Sequence, residues 1–348
     1  MNGTRTLRLL LVGAGNVGRR FLELMVQKEG LLRERFGLAL LLVGVADRSG
    51  AAVDPAGLEP QRLMELKRAG RGVAGCAGAG RPGMAAVEMV RTTPADLLLE
   101  AAPANLRDGQ PGLGCIEAAL ERGMDVVTAD KAPLVLAFPR LLELARHSGA
   151  ELRYSATVGG GLPAVNIGRR DLAAAEITRL EGILNLTSNY ILTRMAEGGV
   201  SYAEALDQAR QAGHAEADPR LDVEGWDAAS KLVILAHSVL GYPAALAEVQ
   251  VQGIAHVAPE MLLEAARAGR RIKPLAVAER IGERYALQVG PVALPAEHPL
   301  ALLGAEQMGI VYASDINGVV AASIVEETPL PTAAAMLRDM LDIWGRPV

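Results

Sequence analysis

Cysteine is scarce: Cys76 and Cys115 are the only two in 348 residues, too few for a disulfide framework or a cysteine-built metal site. No block of basic residues interrupts a net charge of -5, which argues against a nucleic-acid partner, since phosphate contacts need clustered Lys/Arg. A small anionic ligand stays possible. No apolar run has the length of a membrane span or the layout of a cleavable leader, and Leu9 to Val12 is far too short for either. A soluble, cytoplasmic protein with no membrane partner is the expectation. Low-complexity sequence is also rare, and with 50% of the residues apolar disorder is unlikely to prevail over a packed core. Lysine is the last shortage. Of 35 basic residues only five are lysines, Lys28, Lys67, Lys131, Lys231 and Lys273. Positive charge is written as arginine by default, so each lysine asks for a reason: arginine stays protonated, whereas a desolvated lysine titrates and can move a proton.

What is present divides the chain in two, and its length is ample for two cores. Up to about residue 150, apolar runs alternate with amphipathic ones: 7–12, 19–29, 38–46, 60–69, 96–101, 112–122, 125–128 and 139–147. Strand, helix, strand, helix predicts a mostly parallel sheet, doubly wound in the Rossmann manner. The Gly/Ala-rich stretch 70–83 reads as a mobile loop. Further on, the run 177–187, helices near 190–196, 202–212 and 259–268, and strand-like runs at 275–281, 286–289, 309–313 and 319–325 predict an α+β domain with a mainly antiparallel sheet. Ser201 with Glu204 predicts a capping box. Gly282-Glu283 and Asn317-Gly318 suit hairpin turns. The expected division is a dinucleotide-binding domain over 1–152, a catalytic and dimerisation domain over 153–330, and a final helix, 331–348, that returns to the first.

The first strand runs directly into Gly13-Ala-Gly-Asn-Val-Gly18 and then a helical pattern. After a strand and before a helix, this spacing has the layout a dinucleotide pyrophosphate requires. Gly13 makes the tight turn, Gly15 lets backbone approach phosphate, and Gly18 lets helix and strand pack closely, with Asn16 and Val17 at the helix start. The second strand ends in Asp47-Arg48. An aspartate there suits the ribose diol of NAD and an arginine suits the 2′-phosphate of NADP, so the coenzyme, NAD or NADP, stays open. Asp47 lies further past the glycines than usual, and the extra segment 30–37 accounts for the offset.

The densest chemistry is in residues 214–231, where Glu216, Asp218, Asp222, Glu224 and Asp227 precede Lys231. A helix beginning near Gly225 puts Asp227 and Lys231 on one face and Trp226, Ala229, Val233, Ala236 and Leu240 on an inward stripe. Either the stretch is a solvated helix with a surface ion pair, or it is a pocket that clamps an ammonium group with carboxylates and places a lysine beside a carbonyl oxygen.

Leu99-Glu-Ala-Ala-Pro-Ala-Asn105, Val126-Val-Thr-Ala-Asp-Lys131, Tyr154-Ser-Ala-Thr-Val-Gly-Gly-Gly-Leu-Pro163, Gly182-Ile-Leu-Asn-Leu-Thr-Ser-Asn-Tyr-Ile-Leu192 and the whole of 214–231 resemble the homoserine dehydrogenase family. The resemblance covers roughly the full chain. It implies NAD(P)-linked interconversion of aspartate 4-semialdehyde and homoserine in threonine and methionine synthesis. It further implies a homodimer paired through the second domain, without a regulatory C-terminal module. By the same resemblance Lys131 and Lys231 serve proton transfer or substrate placement, and Glu216, Asp222, Asp227 and Thr187 contact the substrate or the lysine. The family also implies a monovalent cation, Na or K, on backbone carbonyls that fall here at Val158, Gly160 and Leu162. The chain departs from the pattern at Ser155, where the family has a glutamate that helps hold that cation, and at Leu186, where it has glycine. It departs again at Asp130, where the family has asparagine, and at 325–331, where Glu326, Glu327 and two prolines replace a glycine-rich loop. These departures leave two other readings: a dehydrogenase of a different amino aldehyde or amino alcohol, and a non-catalytic protein that binds a dinucleotide or an amino acid. The retained lysines argue against the last.

Overall fold

The structure, a computed structural model, describes residues 4–216 and 218–345. They form two compact units: unit 1 runs through Gly161 and resumes at Thr328, and unit 2 spans Leu162–Glu327. The segment 153–161, expected in the second domain, groups with unit 1 because Ser155 is tied there: its backbone N–H and hydroxyl both donate to buried Asp339, at 2.7 and 2.5 Å.

Unit 1 opens with β1 (Arg5–Val12), α1 (Asn16–Gln27), α2 (Glu29–Phe36) and β2 (Leu38–Asp47). Next come β3 (Gly50–Val53), α3 (Pro60–Arg68), β4 (Gly80–Pro82) and α4 (Ala86–Thr92). The remainder is β5 (Leu97–Glu100), α5 (Gly112–Glu121), β6 (Asp125–Thr128), α6 (Ala132–Ser148) and β7 (Leu152–Arg153). The sheet order is β4-β3-β2-β1-β5-β6-β7. Strands β2, β1, β5, β6 and β7 run parallel, and β3 and β4 extend the edge antiparallel. Leu7, Leu9, Leu10 and Leu11 of β1 are all buried, as expected of a strand covered on both faces. Helix α2 fills the extra segment that delays Asp47. The stretch 70–83 is not a loose loop. Val73 is buried, β4 pairs with β3, and Gly80 approaches so closely that a β-carbon on it would lie 2.0 Å from the Ala74 carbonyl oxygen. The small residues permit contact there rather than motion.

Unit 2 contains α7 (Ala164–Asn166), β8 (Ile177–Ile183), α8 (Leu186–Gly198), α9 (Tyr202–Gln211), α10 (Arg220–Val223) and α11 (Trp226–Ser238). It continues with β9 (Gln250–Val251), α12 (Pro259–Arg267), β10 (Arg270–Ile281), β11 (Arg284–Pro295), β12 (Gln307–Ser314) and β13 (Gly318–Val325). Its sheet, β13-β12-β8-β10-β11-β9, is antiparallel except for the β11–β9 pair. The capping box of Ser201 and Glu204 opens α9. Strand β8 ends four residues before the expected Thr187, because the Asn185 side chain accepts from the Ser188 N–H at 2.8 Å and starts α8 there. Helix α13 (Leu330–Trp344) then belongs to unit 1, where Ala333, Met336 and Met340 join Phe21 and Leu22 of α1 in one core.

One lysine is a structural element of unit 2. Lys273 is 4% exposed, and its ammonium donates to the Thr193 hydroxyl at 2.9 Å, the Leu303 carbonyl at 2.7 Å and Asn189 Oδ1 at 3.2 Å. These neutral acceptors pin α8 to β10 and to the loop before β12. Burial, with some help from Arg271, brings its pKa down to about 8 from 10.5. In the unfolded chain the proton stays on to the higher value, so between the two, unfolding takes up a proton and stability rises with pH. Urea midpoints taken from pH 8 to pH 10.5 should climb for the wild type, by on the order of 2–3 kcal/mol; in Lys273→Met that climb should be absent.

Candidate active site

In unit 1 the β1–α1 turn is built by two close approaches and one open position. Gly13 has φ +94°, and a β-carbon on it would sit 2.3 Å from the Ala101 carbonyl oxygen; one on Gly18 would sit 1.9 Å from the Gly13 carbonyl oxygen. Gly15 is different: a β-carbon there meets nothing within 4 Å, because the residue borders a cleft of about 820 Å³. Asn16 is the first residue of α1 and accepts from Arg19 at 2.9 Å, while Val17 packs on the unit 1 core. A bare backbone at a helix N-terminus, open to a cleft, fits a dinucleotide pyrophosphate.

Asp47 and Arg48 line the same cleft, with Lys67 and Arg71. The Asp47 carboxylate is already engaged. One oxygen accepts from the Ser49 N–H at 2.9 Å and its hydroxyl at 2.6 Å; the other accepts from Lys67 Nζ at 2.6 Å and the Val73 N–H at 3.2 Å. Burial alone would raise the Asp47 pKa, but these donors outweigh it and hold the carboxyl below its ordinary value. Lys67 thus lines the cleft beside Asp47, a placement that motif reading missed although the scarcity of lysine marks the residue. Lys131 stands at the N-terminal end of α6, half-buried, directly after buried Asp130.

In unit 2 the chemistry gathers at the α8 N-terminus and the α10–α11 turn. Lys231 Nζ donates to the Leu184 carbonyl at 2.6 Å and to Asp227 Oδ2 at 2.8 Å. Asn185 Nδ2 donates to that same Asp227 oxygen at 2.8 Å and to Asp222 Oδ1 at 2.7 Å. The Thr187 hydroxyl lies 2.5 Å from the His214 carbonyl and 3.3 Å from Asp222 Oδ2, and the Ser188 hydroxyl donates to the Asp222 carbonyl at 2.8 Å. Burial pushes the Asp222 carboxyl up, and the charge of Asp227 adds to the rise, against Asn185, Lys231 and Thr187. The Asp227–Lys231 pair is not a solvated surface pair, since its side chains are 9% and 16% exposed.

The five carboxylates do not converge on Lys231. Asp227 touches it and Asp222 is linked through Asn185, but Asp218 turns outward to Arg220 at 2.6 Å, and Glu216 and Glu224 are exposed. The short helix α10 turns Asp222 and Val223 inward, while Leu221 and Glu224 beside them are exposed. Glu216, expected to contact substrate, has no hydrogen bond or ion pair among the described residues. Trp226, expected inside, is 37% exposed, whereas Ala229, Val233 and Ala236 are buried. Asn185 and Ser188 went unremarked as site residues, and only the spacing of a cap ahead of α8 could have pointed to Asn185.

The residues around Ser155 do not fit the monovalent cation. The Arg338 guanidinium donates to the Ser155 hydroxyl at 2.9 Å and reaches the Gly161 carbonyl at 3.5 Å, so an organic cation already faces this turn. The Leu162 carbonyl accepts from the Ala164 N–H at 2.8 Å.

The family profile described as Homoserine dehydrogenase matches residues 163–341, and the one described as Homoserine dehydrogenase, NAD binding domain, matches 13–155. The chain belongs to the homoserine dehydrogenase family. A homoserine dehydrogenase of Methanocaldococcus jannaschii is 34% identical over 97% of this chain and 98% of its own. An NAD(+)-dependent homoserine dehydrogenase of Pseudomonas canavaninivorans is 34% identical over 97% and 96%. The crystal structure of a putative homoserine dehydrogenase from Archaeoglobus fulgidus superposes with a TM-score of 0.88 at 35% identity, covering 98% of this chain and all of that one. The chain is therefore an NAD(P)-dependent oxidoreductase acting on a CH–OH group, which interconverts L-homoserine and L-aspartate 4-semialdehyde. Because nothing packs where a Gly15 side chain would project, Gly15→Val should leave the melting temperature unchanged; calorimetric titration should show NAD(P) affinity reduced about tenfold or more.

Proposed function

We propose that unit 1 holds the coenzyme through Gly13, Gly15, Gly18 and the Asp47–Arg48 strand end, and that unit 2 binds the amino acid. When bound, the coenzyme supplies or accepts a hydride at the substrate carbon; the chain's own groups hold the ammonium and carry the proton. The observation behind this reading is the charge of the unit 2 cluster. Asp222 and Asp227 contribute two negative charges and Lys231 one positive, so a half-buried site is left with a surplus carboxylate. A substrate ammonium supplies the missing charge. Thr187 orders Asp222, and Asn185 bridges the two carboxylates. Lys231, fixed by Leu184 and Asp227, and Lys131, at the start of α6, are the groups suited to give a proton to the aldehyde oxygen or take one from the alcohol. Nothing in the cluster favours a different amino aldehyde: Leu186 sits within the first turn of α8, beside residues already bonded to one another.

At the coenzyme cleft three cationic residues, Arg48, Lys67 and Arg71, face one aspartate whose oxygens are taken. That balance favours a 2′-phosphate, hence NADP, although the Pseudomonas relative is named for NAD(+). A homodimer paired through unit 2 is supported by strand β13, which forms a sheet edge and leaves Val319 67% and Val325 52% exposed, an invitation to pairing. Among the described residues no helix is long and apolar enough to cross a membrane, in keeping with a cytoplasmic enzyme of threonine and methionine synthesis.

Initial rates of homoserine oxidation with NAD and NADP in parallel test the roles. Lys131→Ala and Lys231→Ala should each lose at least about 100-fold in kcat with coenzyme binding retained, and Lys67→Ala should shift preference toward NAD; near-normal turnover in both of the first two would remove the lysines from catalysis. In sedimentation, Val319→Lys combined with Val325→Lys should convert a dimer to monomer, and an unchanged dimer would place the interface elsewhere.

A further inference from the structure

Two carboxylates lie buried together in unit 1, outside the groups assigned above. Glu100, the last residue of β5, is fully buried, and Asp130, two residues beyond β6, is 2% exposed. Three of their four oxygens have donors. Glu100 Oε1 accepts from the Ala102 N–H at 2.8 Å, Glu100 Oε2 from the Thr128 hydroxyl at 2.7 Å, and Asp130 Oδ1 from the Ala132 N–H at 2.9 Å. The fourth, Asp130 Oδ2, is buried with no hydrogen-bond partner. A β-carbon placed on Gly112 would lie 2.7 Å from this oxygen and 3.2 Å from Glu100 Oε1. Both oxygens therefore border one point, in space that only a glycine at 112 leaves open.

Two ionised carboxylates are not stable in such a place, and an orphan acceptor beside another acceptor is what a structure without hydrogens shows when a proton joins them. We propose that Glu100 and Asp130 hold one proton between Oε1 and Oδ2, forming a positioning pair that locks the ends of β5 and β6 together and thereby fixes Lys131. The consequence for function rests on the assignment of Lys131 to the active site. The pair stands between two parts of that site: Glu100 anchors Ala102, which lines the coenzyme cleft, and Asp130 precedes Lys131 and caps α6. Sharing the proton leaves one negative charge beside Lys131 instead of two. Loss of the proton at rising pH puts two like charges at one point, and repulsion loosens both strand ends.

The surrounding charges agree. Burial raises the Glu100 carboxyl and the charge of Asp130 raises it further; burial also raises Asp130, against the Ala132 N–H and the Lys131 ammonium. From α5, the Cys115 thiol is pushed up by burial and by Glu100 and drawn down by Arg91, so it stays neutral and offers the pair no charge.

Infrared titration of the wild type from about pH 5 to about pH 9 tests the shared proton without any substitution. A carboxylic-acid C=O band that persists above the ordinary carboxylate range supports it, and a spectrum with only carboxylate at neutral pH overturns it. Glu100→Gln and Asp130→Asn each replace the proton by an amide donor, and each should lose that band at neutral pH; its survival in both would overturn the assignment. The positioning role is read from kcat for homoserine oxidation as a ratio, wild type over Asp130→Asn. That ratio should fall roughly tenfold across the window, whereas a merely structural role leaves it flat. Should Lys131→Ala keep full turnover, the assignment of Lys131 fails while the infrared result stands. A flat ratio together with an inactive Lys131→Ala rejects the positioning role alone.

Discussion

The chemistry of unit 2 hangs on one amide. Asn185 accepts the Ser188 N–H in the first turn of α8 with its oxygen and, with its nitrogen, bridges Asp222 and Asp227. Without that bridge two acidic side chains from consecutive helices would face each other partly out of water, and like charges so placed separate or take up protons. With it, Asp227 is free to hold Lys231 at 2.8 Å and Asp222 to receive Thr187. The same residue thus begins a helix, spaces two charges and sets the position of a lysine. Its apolar surroundings, including Ile183, Leu184 and Ala229, all buried, keep water from competing for these bonds.

Unit 1 reaches its site by the opposite means, through side chains that are missing. Gly13 and Gly18 allow backbone to pass where a β-carbon would collide, and Gly15 keeps a wall bare. Charge meets the glycine turn at the end of β2, where the Asp47–Lys67 pair is fixed by a hydroxyl and two backbone N–H groups. Lys28 is exposed, but the other four lysines of the chain share a pattern. Lys67 and Lys231 are paired with carboxylates at sites, Lys273 is buried on neutral acceptors, and Lys131 follows a buried aspartate. Where a flat, always-charged guanidinium would not fit, the sequence turns to an ammonium.

Much of this was legible in the residues. The alternation of apolar runs gave the order of unit 1, because parallel strands buried on both faces need continuous Leu and Val. The i,i+4 spacing placed Asp227 beside Lys231, and the strand-glycine-helix order located the close-packed turn between β1 and α1. The failures have a common cause in long-range contact. Periodicity does not reveal that α10 turns Asp222 inward while Glu216 and Glu224 lie exposed to solvent. Nor does it show that Val73 docks on Asp47, which makes an ordered edge of a Gly/Ala stretch. Arg338 lies 183 positions from the serine it bonds, and nothing local to either residue announces the pair. Most of the homoserine dehydrogenase resemblance came from longer motifs rather than from periodicity, and the family profiles over 13–155 and 163–341 bear out the family.

The path of the chain has a consequence for how the molecule is made. Unit 1 is interrupted by the whole of unit 2, and Ala333, Met336 and Met340 fill the same core as Phe21 and Leu22. A ribosome delivers those three side chains only after the whole of unit 2. The nascent first part of unit 1 must therefore wait, with the flank of α1 uncovered, while some 166 residues (162 to 327) emerge behind it, so the dinucleotide domain is begun before unit 2 and closed after it.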